Sequence, residues 1–221
     1  MSLRERIRAE TDKLRPMRFS QKAAYLFRYY KGWLVGLLLL AALCGYIGDA
    51  VAQSRREIVL QGFFTNDDYN FFPAETLQRE YAAAQGIGGR QRVVFDDSLY
   101  IDLNGEAVDY TAASRGKLVA YIATAELDFV VTTEPVLSQY RDELPMLDWK
   151  TLLPEKLFRA LEPQLLSAPG EDGATVYYAL SMRDSRWCAG QDGGEAYYLF
   201  APYNAPHPEQ LAAFVAYSFP G

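Results

Sequence analysis

The uncharged run from Gly32 to Gly48 (GWLVGLLLLAALCGYIG) constrains what this chain can fold into more than any other segment. Built as a helix at 1.5 Å per residue, it covers about 25 Å, the short end of what spans a bilayer. On its N-terminal side, residues 1–31 carry nine Lys/Arg against three Asp/Glu. Basic flanks stay in the cytoplasm, so this end is expected inside and the remainder outside. Tyr29, Tyr30 and Trp33 suit the headgroup interface, and Lys31 can reach it by snorkelling. The expected partner of this region is the lipid bilayer, with anionic headgroups facing the basic tail.

Three fates of the apolar run stay open. A retained anchor over residues 32–52 fits the length of both the basic region and the run itself. Ala50-Val51-Ala52 has the small-x-small pattern of a signal-peptidase site, which would release a chain beginning at Gln53. Cys44 could accept a lipid, although Leu43 stands where that pattern has a small residue. All three deliver the same domain to the same side of the membrane. Ahead of the run, Phe19, Ala23, Leu26, Phe27 and Tyr30 recur at helical spacing among Arg18, Lys22, Arg28 and Lys31. This predicts an amphipathic helix along the inner leaflet, with topology-setting charge as the simpler alternative. Pro16 separates it from a predicted helix over residues 2–14.

After a short linker, residues 53–57, the domain over 58–221 is acidic. From residue 53 onward the chain holds 13 basic and 24 acidic residues, which excludes nucleic acid as the partner of the main body. Cys44 lies in the apolar run and Cys188 in the outer domain, so no internal disulfide is expected. About 165 residues suffice for one core.

Ile58 to Phe64 reads as a buried strand, and Pro73 to Gln85 as a helix stopped by Gly86. Arg92 to Leu103 predicts two strand pieces around the polar Asp96-Asp97-Ser98. A helix over Tyr110 to Ala125 precedes a strand over Leu127 to Thr132. Helices are predicted over 135–140, 154–165 and 208–217, and strands over 176–182 and 197–203. The alternation predicts an α/β fold: a single domain with a mixed, largely parallel sheet flanked by helices, preceded by one transmembrane helix.

Residues 96–166 resemble the first lobe of extracytoplasmic solute-binding proteins. The parts that carry the likeness are the helix Lys117 to Ala125, the strand Asp128-Phe129-Val130-Val131, the short helix Pro135 to Tyr140, and Leu147 to Pro154. The stretch Tyr25-Leu26-Phe27-Arg28-Tyr29-Tyr30-Lys31 is similar to uncharacterised membrane-anchored proteins of low-GC Gram-positive bacteria. The resemblance implies a solute-binding-like lobe, with a small solute or a peptide as ligand. Such proteins close two lobes on a ligand, and this domain has room for about one.

Ligands of open α/β sheets bind beyond the carboxyl ends of the strands. Two clusters are therefore the candidate ligand-binding residues: Asn66, Asp67, Asp68 and Tyr69 after the first strand, and Thr132, Thr133 and Glu134 after the third. Ordinary turn and cap chemistry is the competing reading of both. Asp67, Asp68, Asp96, Asp97 and Asp102 lack the spacing of a calcium loop and read as solvated loop acids. Cys188 and His207 form no recognisable nucleophile–base pair. Cys188 is expected as a small buried side chain, and His207, between Pro206 and Pro208, at the surface. Serines form no nucleophile elbow, and Gly86-Ile87-Gly88-Gly89 lacks the Lys of a phosphate loop. No catalytic residue, metal ligand set or cofactor is called for. The expectation is a membrane-tethered, non-enzymatic binding or sensing module, and its alternative an envelope scaffold that docks another envelope protein.

Overall fold

The computed structural model describes residues 19–54, 56–103, 109–170, 173–189 and 196–220. The predicted helix over residues 2–14 and the break at Pro16 lie outside the described residues. The chain divides into two units, Met1–Arg55 and Arg56–Gly221.

The first unit is one helix, α1 (Phe19–Ser54), unbroken from the amphipathic stretch through the apolar run. Within it, Lys31–Val51 is long and apolar enough to cross a membrane by length and composition. Trp33, Leu37, Leu38, Leu39, Leu40 and Ile47 are all exposed. Lys31 and Trp33 sit at the N-terminal end of that stretch, both exposed.

The second unit is a single α/β domain. Its elements run β1 (Glu57–Thr65), α2 (Ala74–Gln85), β2 (Gln91–Leu99), α3 (Asp109–Ala123), β3 (Phe129–Thr133) and α4 (Glu134–Glu143). Then come α5 (Trp149–Leu152), α6 (Glu155–Leu161), a 3-10 turn (Glu162–Gln164), β4 (Leu165–Pro169), β5 (Thr175–Ser181), β6 (Tyr197–Phe200) and α7 (Pro208–Ser218). The six strands form one sheet in the order β2-β1-β3-β6-β5-β4. β1 pairs parallel with β2 and with β3, while β3–β6, β6–β5 and β5–β4 are antiparallel. The sheet is mixed as expected but not largely parallel: antiparallel pairings outnumber parallel ones, because β4, β5 and β6 follow one another in the chain and pair as antiparallel neighbours.

Four elements differ from the sequence reading, among them the short helix α5, which was not predicted. Asp96, Asp97 and Ser98 do not interrupt a strand; β2 is continuous through them, because the two acids find partners in Lys117 and Ala74 N–H. The predicted helix over 154–165 ends at Leu161, passes into the 3-10 turn at Pro163 and becomes strand β4. β4 was not predicted. Its Leu-Leu-Ser-Ala-Pro alternates too weakly to announce a strand, and its partner β5 supplies the ladder.

β1 is buried on both faces from Val59 to Thr65, as a central parallel strand must be. On one face α2, α5, α6 and α7 pack Tyr81, Trp149, Phe158, Phe214 and Val215 against Leu60, Phe64, Phe95 and Phe129. On the other, α3 and α4 bring Leu118, Ile122, Val136, Leu137 and Tyr140 against Phe63, Val130 and Phe200. Phe129 and Phe214 stack at 4.5 Å between centroids. Gly62 is there because the Phe129 ring occupies the space of a Cβ.

Candidate functional site

The two clusters singled out in the sequence do meet at one edge of the sheet. β1 and β3 are parallel neighbours, so their carboxyl ends lie side by side, and Thr65 Oγ1 donates to Thr132 Oγ1 at 2.6 Å. Asn66 leaves β1 with φ 57°, a left-handed conformation that Asn tolerates better than most residues. Its side chain staples this turn to the end of β2: Nδ2 donates to the Ile101 carbonyl at 2.8 Å and Oδ1 accepts from Ile101 N–H at 2.9 Å. Tyr197 Oη donates to the Asn66 carbonyl at 2.9 Å and fixes the same turn to β6.

Most polar atoms of the cluster are thereby used internally. Asp67 accepts from the N–H groups of Phe71 at 2.9 Å and Phe72 at 2.7 Å, and so folds the loop over. Burial raises the Asp67 carboxyl above its usual value; the Phe72 and Phe71 bonds oppose this, while Asp97 and Asp68 nearby reinforce it. Thr132 and Thr133 are buried. What the edge presents to solvent is Asp68, Glu134 and Tyr69, the last 57% exposed and stacked on Phe71 at 5.4 Å. Tyr100 and Tyr110, from the chain flanking the next loop, are also exposed. Arg183 and Arg186, both exposed, follow β5 at this same edge, so acidic, aromatic and basic side chains are mixed there.

The other acids singled out are not simply solvated. Asp97 accepts from Ala74 N–H at 2.9 Å and caps the start of α2. Asp96 pairs with Lys117 and accepts from Ser98. Burial pushes its carboxyl up, but the bonds from Lys117 and Ser98 outweigh that and hold it below its usual value. Gly86 and Gly89 adopt φ near 66° and 65°, a helix stop followed by a turn. No group of three or more His, Cys, Asp or Glu suited to a metal ion occurs among the described residues.

Cys188 is half-buried and free, and burial pushes its thiol up, away from thiolate chemistry. His207 corrects the surface expectation. It is the N-cap residue of α7, and its Nδ1 lies 3.0 Å from the Oδ2 of Asp128, which is fully buried. Asp128 also accepts from Gln61 N–H at 2.7 Å and from His207 N–H at 2.8 Å. Burial raises this carboxyl, opposed by the Gln61 and His207 bonds. The pair is a joint at the amino end of β3, beside the middle of β1 at Gln61, and it ties α7 to the sheet. No sequence signal linked residues 79 apart; the only hint was an Asp at the start of an otherwise apolar strand.

Compared with family models, curated proteins and solved structures, the chain matches none of them.

Proposed function

We propose that this chain is a single-pass membrane-tethered module, N-terminus in the cytoplasm, whose extracytoplasmic α/β domain recognises a ligand through the carboxyl edge of β1 and β3. Recognition rather than catalysis is its work, in the manner of one lobe of a solute-binding protein. The observation that carries this reading is the convergence of Asn66, Asp67, Asp68, Tyr69, Thr132, Thr133 and Glu134 on that edge, where α/β sheets bind ligands. The basic tail and the apolar helix support the tether.

The chemistry of the edge narrows the ligand. With the Asn66, Asp67 and Thr132 polar atoms already hydrogen-bonded, little remains to replace the hydration of a small polar solute. Exposed Tyr69, stacked on Phe71 and preceded by exposed Asp68, suits a peptide or protein segment that is neutral or basic, through stacking and cation–π contact. The same feature favours the second reading, a docking domain for an envelope protein.

A thermal-shift screen of residues 56–221 against sugars, amino acids, and acidic and basic peptides tests the proposal. A ligand at 100 times its dissociation constant adds about 2.7 kcal/mol. A saturable shift with a peptide that disappears in Tyr69→Ala supports recognition at this edge. A saturable ligand whose shift is the same in Tyr69→Ala and Glu134→Gln would sink it.

A further inference from the structure

We draw no further inference here: the strongest candidate, the pair of buried Asp128 and half-buried His207 at the amino end of β3, is accounted for by its hydrogen bonds as the joint that ties α7 to the sheet, and nothing in the structure shows what the His207 ring would act on.

Discussion

Single side chains decide this domain at three points. Gly62 has no room for a methyl group because the Phe129 ring fills the site, and that ring is held by Phe214, Phe64 and Phe95. Gly62→Ala is expected to cost about 1–3 kcal/mol in denaturant unfolding of residues 56–221, the range for overpacking a dense core. Asp128 is fully buried and is the acceptor for two backbone N–H groups, with the half-exposed His207 imidazole beside it. Asp128→Ala leaves those donors without a partner and should cost about 2–5 kcal/mol in the same experiment. His207→Gln should cost less, because the backbone bonds to Asp128 survive. Ala125 ends α3 with φ 53°, a conformation a Cβ disfavours. Ala125→Gly should therefore stabilise, by about 1 kcal/mol, read as a raised unfolding midpoint. The residue-level features that sequence could not supply are of one kind. Gly62 and Asp128 owe their identities to partners 67 positions away, and no local pattern encodes that spacing.

Elements were legible where periodicity and punctuation agreed. β1 announced itself as a run of apolar residues, α2 by Pro73 before it and Gly86 after it, and α7 by Pro208 at its first position. β2 was misread as two pieces because polarity in the middle of an edge strand mimics a turn. β4 was missed because its ladder with β5 does the work that its own sequence does not. The acids between these elements illustrate the same difference. Read alone they look solvated, yet Asp67 and Asp97 cap backbone N–H groups and Asp96 pins α3 through Lys117. The Asp96 contact carries a pH signature. Its folded carboxyl sits below the unfolded value near 3.8, so its contribution is present above that pH and lost as pH falls through the depressed folded value. Asp96→Asn should flatten the acid limb of stability against pH below about 4, without changing the shape of the curve between pH 6 and 8. Lys117 is partly exposed, so salt should weaken the contribution as well.

At the scale of the whole chain, composition spoke most clearly. A basic end, an apolar run long enough to span a bilayer and an acidic domain were legible before any fold was known, and they are what the proposed tether rests on. α1 runs without a break through Ala50-Val51-Ala52 to Ser54, and the proposed tether requires that the chain is not released at Gln53. Expressed as these 221 residues, the chain should stay with membranes through an alkaline wash and keep its mass of 24.9 kDa rather than shorten to a product starting at Gln53. The position of the candidate edge was legible too, from the rule that ligands gather at the carboxyl ends of strands. Its character was not, because whether a polar side chain faces a ligand or a neighbouring turn depends on tertiary contacts. The most direct measurement is site-specific photocrosslinking of the full-length chain in its own membrane. A photoreactive residue would replace Tyr69 or Glu134 at the proposed edge, or the exposed Lys156 on α6. Discrete adducts at positions 69 and 134, with none at 156, are the expected result. Equal yields at all three positions, or adducts at 156 alone, would contradict recognition through the carboxyl edge of β1 and β3.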